Sequence, residues 1–373
     1  MLPLYNNSYD QECTVYIGTY TSTGSKGIYV YKLNSDGELR VVSVTENNAN
    51  PSYLALHPIG RYLYAVNEVP GTGGRQSAAV AYKVHAGGGS LTQLDKAATL
   101  GAEPCHLSVH PNGRHLLVAN YAGGSVTVLP ILGDGSLGEA TCFIQHKGAS
   151  VVADRQEAAH AHFIHANAEG TVIFVCDLGV DKIFIYQLDT KSGQLQPNDP
   201  PYQTTRAGSG PRHLTIHPNG RSVYVINELD STLDVYEYNC DCRTVTHQQT
   251  LTTVPSDFTG TNYCSAIHIH PSGQYLYGSN RGMDTIVTYR INPASGLLQL
   301  MDYTDTQGNY PRDFAIDANG RWLLVANQNS DNLVLFQVDN QTGHLASHGV
   351  VAQVPRPVCV KISDTLATNS REQ

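Results

Sequence analysis

The sequence is short of charge. Lys, Arg, Asp and Glu make up 15% of its 373 residues, against about 25% in an ordinary soluble chain. The 32 acidic residues outnumber the 23 basic ones, for a net charge of −9, and such a balance disfavours binding to a phosphate backbone, so no nucleic acid partner is expected. Long apolar runs are missing as well. None approaches the roughly 18 residues that would cross a bilayer, and no membrane partner is expected. The first residues, Met1 to Asn7, carry neither the basic stretch nor the apolar stretch of a secretory signal, so a cytoplasmic location is the expectation.

Clustered cysteine is absent too. The eight cysteines, at 13, 105, 142, 176, 240, 242, 264 and 359, include one Cys240-Asp241-Cys242 but no CxxC pair. They read as reduced, mostly buried thiols and not as a zinc site. There is no GxSxG, no GxxxxGK[ST] and no GxGxxG after a strand, which leaves serine-hydrolase, P-loop and dinucleotide chemistry without support, and no cofactor is expected.

What the chain has is glycine (34), tyrosine (22) and short Val/Ile/Tyr/Leu runs punctuated by Gly, Asn and Asp, the pattern of strands and turns. One phrase recurs: PSYLALHPIGRYLYAVNE from Pro51, PCHLSVHPNGRHLLVANY from Pro104 and PRHLTIHPNGRSVYVINE from Pro211, with looser copies from Ala161, Cys264 and Pro311. The turn glycines fall at 60, 113, 170, 220, 273 and 320, a spacing that suits four-stranded propeller blades. A seventh repeat is split: Thr14–Tyr20 matches its second strand and Pro357–Ile362 its first. The expected fold is all-β, a seven-bladed propeller over residues 13–363, with 1–12 as an N-terminal extension and 364–373 as a tail. Its last blade closes with a C-terminal strand beside N-terminal ones, which hides the free edges.

In an antiparallel hairpin, residues equidistant from the turn meet at the far end. Eight before each turn glycine stand Ser52, Cys105, His162, Arg212, Ser265 and Arg312, with Val358 from the split repeat; eight after stand Glu68, Tyr121, Leu178, Glu228, Arg281 and Gln328, with Tyr20. Five of these fourteen are charged, well above the 15% of the chain, so the polar pocket is expected at this rim. His162, Arg212, Glu228 and Arg281 come from three consecutive blades and form the candidate catalytic group; Tyr20, Glu68, Tyr121, His160, Arg312 and Gln328 are the candidate substrate contacts. The connections 68–78 and 145–159 end at the same rim and are candidate covers. His57, His110, His217 and His270 stand three before their turn glycines, which marks a turn role, and Asn67, Asn120, Asp177, Asn227, Asn280 and Asn327 read as ties for strand ends. His160/His162 and His268/His270 have metal-like spacing, but no acidic or cysteine partner stands at a matching repeat position, and no metal site is assigned.

The phrases HAHFIHANAEGTVIFVCDLGVDKI, GSGPRHLTIHPNGRSVYVINEL, AIHIHPSGQYLYGSNRG and YPRDFAIDANGRWLLVANQ resemble the seven-bladed propeller lactonase family, bacterial phosphogluconolactonases and a fungal muconate cyclase among them. The resemblance runs from about residue 13 to 363. It implies a metal-independent site at the propeller mouth with His162, Arg212, Glu228 and Arg281 as its catalytic residues. The activity it implies is hydrolysis of a small anionic lactone, 6-phospho-D-glucono-1,5-lactone to 6-phosphogluconate in the pentose phosphate pathway. A muconate-type lactonising cycloisomerase and a non-enzymatic interaction platform are the competing readings; oligomeric state is not legible.

Overall fold

A computed structural model describes residues 12–47, 49–71 and 76–363; the termini 1–11 and 364–373, read above as extension and tail, and part of the 68–78 connection lie outside it. Among the described residues the strands form seven four-stranded antiparallel sheets. Six blades are built from consecutive strands. In the remaining one Pro357–Ser363 pairs with Cys13–Thr19, which continues to Gly27–Leu33 and Leu39–Glu46. Ile17 stands opposite Val360 and Gly18 opposite Cys359, so the ring closes by strands from both ends of the chain, as expected.

The second strand of each blade is apolar on both faces because each sheet is sandwiched between two neighbours; in His115–Asn120, Leu116, Leu117, Val118 and Ala119 are all fully buried. Separate core clusters fill the interfaces between successive blades, such as Leu117, Val126 and Val128 against Ile164, Ile173 and Val175.

The recurrent histidines join neighbouring blades. Within each turn, His110 Nδ1 and its counterparts accept the backbone N–H two residues on, at 3.2 Å in His110. That fixes the proton on Nε2, and Nε2 donates to the turn glycine carbonyl of the next blade: His57 to Gly113 at 2.8 Å, His110 to Gly170, His217 to Gly273 and His270 to Gly320 each at 2.9 Å. Glycine is required there twice over. Its φ is +68° at Gly170, and a Cβ would lie 2.6 Å from the His110 ring.

The rim is more irregular than a plain hairpin. In six blades the pairing register shifts at the first strand, and the residues eight before the turn glycine, or Val358 in the split blade, fall in the shift: Cys105, His162, Arg212, Ser265, Arg312 and Val358. A β-bulge re-aims its extra residue, and here it aims one side chain per blade toward the axis. Two residues before Ser52, Cys105, Arg212, Arg312 and Val358 the backbone is left-handed, at Asn50, Glu103, Gly210, Tyr310 and Arg356. Their carbonyls accept the N–H of Glu68, Tyr121, Glu228, Gln328 and Tyr20, at 2.8 to 3.1 Å. Both sets of rim side chains are thereby fixed by backbone geometry.

Candidate functional site

Three of the four expected catalytic residues are in direct contact. Arg212 Nε donates to Glu228 Oε2 at 2.8 Å, an Arg281 Nη forms an ion pair with the same oxygen at 2.8 Å, and all three side chains are almost fully buried. Each arginine is also held by main chain, Arg212 by Ser265 O at 3.0 Å and Arg281 by Tyr263 O at 3.3 Å and Cys264 O at 3.0 Å. These bonds leave Arg212 Nη2 and Arg281 Nη1 without a hydrogen-bond partner among the described residues.

Burial alone would push the Glu228 carboxyl up, but Arg281 and Arg212, then His162 and Arg155, hold it well below the usual carboxylate range. It is a fixed anion. Burial, reinforced by Arg281 and opposed by Glu228, lowers Arg212 to about 10, which still leaves it charged at neutral pH.

His162 shares a small cavity of about 10 Å³ with Arg212, Ser52, Glu68, Cys105 and Arg312. Its ring packs edge-on to Tyr121 at 5.5 Å and tilted to His213 at 5.3 Å. Nδ1 is buried with no partner. Burial, with Arg212 adding to it, holds this imidazole well below its ordinary value, so it is neutral near pH 7 and free to accept a proton.

Glu68, Tyr20 and Arg312 form a second group. The Tyr20 hydroxyl lies 3.0 and 3.1 Å from the two Glu68 oxygens, Ser52 Oγ donates to the same carboxylate, and the Arg312 guanidinium lies over the Tyr20 ring at 5.3 Å. Tyr121 stacks on His160 at 4.6 Å, while both His160 nitrogens are engaged, by Tyr121 O at 3.0 Å and Glu157 at 3.1 Å. Gln328 is buried, and no described contact joins its side chain to either group.

Sequence reasoning missed Arg155, Tyr263 and Tyr310. Arg155 donates to Glu228 Oε1 at 2.5 Å and lies 3.4 Å from the Tyr121 hydroxyl, above the Tyr263 ring at 5.6 Å. It belongs to the 145–159 connection and has no repeat position to betray it. Tyr310 lies under Arg281 at 5.1 Å. Both tyrosines stand ten before their turn glycines, a position whose recurrence would have flagged them.

A far larger cavity, about 840 Å³, opens at the opposite mouth, among the HPxG turns. Its walls are mainly apolar, and burial holds the imidazoles of His106, His165 and His213 below their ordinary value. It lacks the paired carboxylate and guanidinium groups of the small one, so size and chemistry part company here, and chemistry locates the candidate site. Among the described residues no group of three or more His, Cys, Asp or Glu is placed to hold a metal ion.

The family model for the lactonase seven-bladed β-propeller matches residues 14–362. The chain belongs to that family. It is 35% identical over 347 residues to the 6-phosphogluconolactonase of Bacillus subtilis, covering 93% of this chain and 97% of that one. Among solved structures, a putative 6-phosphogluconolactonase of Bacteroides fragilis superposes with a TM-score of 0.89 at 34% identity, over 96% of this chain and 99% of that one. A periplasmic gluconolactonase of Pseudomonas aeruginosa superposes with 0.90 at 35%, over 95% and 99%. No helix of the described residues in this family member is long and apolar enough to cross a membrane.

Proposed function

We propose that this lactonase-family protein hydrolyses 6-phospho-D-glucono-1,5-lactone to 6-phosphogluconate at the rim that carries His162, Arg212, Glu228 and Arg281. The observation that carries the reading is an excess of positive charge beside an unengaged base. Four guanidinium groups (Arg155, Arg212, Arg281, Arg312) and the Lys361 ammonium face three carboxylates (Glu68, Glu228, Asp313), leaving two positive charges in a protein whose net charge is −9. A doubly charged phosphate ester suits that excess.

In the reaction His162 takes a proton from water, and the hydroxide adds to the lactone carbonyl. The oxyanion meets the free N–H groups of Arg212 and Arg281, which Glu228 holds in place. Collapse breaks the bond to the ring oxygen, which takes the proton back from His162 and leaves the acid. Tyr20, Glu68, Arg312, Tyr121 and Gln328 line the sugar's path, and His160 holds the Tyr121 ring. No step calls for a metal, and exhaustive chelation should leave turnover unchanged. All eight thiols are free, which suits a reducing compartment such as the cytoplasm.

The test is acid release from phosphorylated and plain sugar lactones, followed in a pH-stat against the uncatalysed rate. Faster release from the phosphorylated lactone supports the reading. Lactone formation from a cis,cis-muconate with no hydrolysis of either sugar lactone would replace it with the cycloisomerase.

A further inference from the structure

The rim cavity beside His162 and Arg212, at about 10 Å³, has room for roughly one water, whereas a site for a sugar-sized ligand needs several hundred cubic ångströms. A substrate that enters this cavity must displace a group beside it. Arg155 stands out. Its side chain is 29% exposed, against 2% for Arg212 and 4% for Arg281, and it alone of the three makes no side-chain bond to main chain. Its guanidinium reaches Tyr121, Glu228 and Tyr263, which belong to three different blades, so it lies across the mouth like a bar.

The backbone beneath it is fixed. Gln156 is fully buried and donates to Leu178 O and Asp181 Oδ1, both at 2.8 Å, while its own N–H bonds Val152 O at 2.7 Å. Movement therefore belongs to the Arg155 side chain and not to the loop. Its departure strands no charge, because Glu228 keeps Arg212 and Arg281.

We propose that Arg155 is a substrate-displaced latch that selects anionic lactones: it leaves Glu228 as substrate enters and pairs through its planar fork with the substrate's phosphate. This rests on the lactonase reading for the identity of the substrate, but the selection is a binding property that can be measured without turnover. Phosphate is the better partner for the fork, since two parallel N–H···O bonds form and the ligand brings its own charge to replace that of Glu228.

The experiment is calorimetric binding of 6-phosphogluconate and of gluconate to the wild-type protein, R155A and R155K, alongside kcat and KM for the two lactones. The wild type should prefer the phosphorylated acid by at least about 10-fold, and R155A should lose that preference. R155K should recover part of it, the charge being kept and the fork lost. On the lactones the same ratio should fall, through KM for the phosphorylated one. Equal loss for both ligands in R155A, or a wild type without preference, overturns the latch. A wild type that prefers the phosphorylated acid yet hydrolyses neither lactone supports the latch and overturns the lactonase reading.

Discussion

Arg212 donates to Glu228 through Nε at 2.8 Å, in a place where neither side chain is more than 6% exposed. Such a pair contributes little net stability when intact, because desolvation offsets the attraction, yet removing one partner leaves an uncompensated buried charge. Glu228→Ala should therefore lower the unfolding free energy by about 3–5 kcal/mol, measured by denaturant titration. Glu228→Gln, which keeps an acceptor oxygen, should lose less. Two variants as stable as the wild type would mean that water already compensates this cluster.

The imidazole of His162 sets an expectation for pH. Its value is lowered by burial and by Arg212, and a base works in its unprotonated form. The acid limb of kcat/KM should therefore lie well below the ordinary histidine value of about 6.5, with the rate level from pH 8 to below 6.5. A half-loss at 6.5 or above would assign the limb to an unperturbed group.

Buried histidines held neutral also weaken the fold in acid. His106 is 2% exposed and is held well below its ordinary value by burial, with Lys361 adding to it. The unfolded chain binds that proton first, so the contribution is complete above about 6.5 and is lost as pH falls toward the folded value. His106→Gln should flatten the fall in unfolding free energy below pH 6.5 by up to about 1.4 kcal/mol per pH unit. An unchanged slope would show that His106 is protonated in the folded protein.

The turn histidines should affect stability and not chemistry. His110→Ala and His217→Ala each remove an inter-blade bond to a glycine carbonyl, at a cost of about 1–2 kcal/mol. The two bonds join different pairs of blades and share no partner, so the double variant should lose the sum. Chemical denaturation checks this, with kcat per folded molecule expected to stay at the wild-type level.

The closing strand is the mechanical weak point of the ring. Deleting 357–373 removes Val358, Cys359 and Val360, all buried, at about 1.5–3 kcal/mol for each aliphatic side chain, and exposes the edge of Cys13–Thr19. The truncated chain should aggregate or melt well below the full one. Equal melting temperatures would contradict closure by strands from both ends.

Much of this was legible because the fold repeats. The HPxG phrase set the blade count, its split copy set the closure, and counting outward from each turn glycine found Arg212, Glu228 and Arg281 before any contact was known. The bulges were not legible. Counting assumes a plain hairpin, and one extra residue in a strand decides which face a side chain takes without leaving a mark on composition. The counting worked because the rim bulge recurs at the same place in every blade but one. Arg155 escaped because it lies in a connection that belongs to no repeat, and Gln328 was included on position alone, without a contact to join it to the site.

The central claim is that His162, Arg212, Glu228 and Arg281 perform lactone hydrolysis together. Its most direct test is the initial rate of 6-phospho-D-glucono-1,5-lactone hydrolysis by the alanine variant of each, corrected for spontaneous hydrolysis and folded fraction, with His217→Ala as the reference. Loss of a positioned base or oxyanion donor should lower the rate by at least roughly 100-fold in all four, with His217→Ala at the wild-type rate. Four variants with near wild-type rates would place the reaction elsewhere on the propeller.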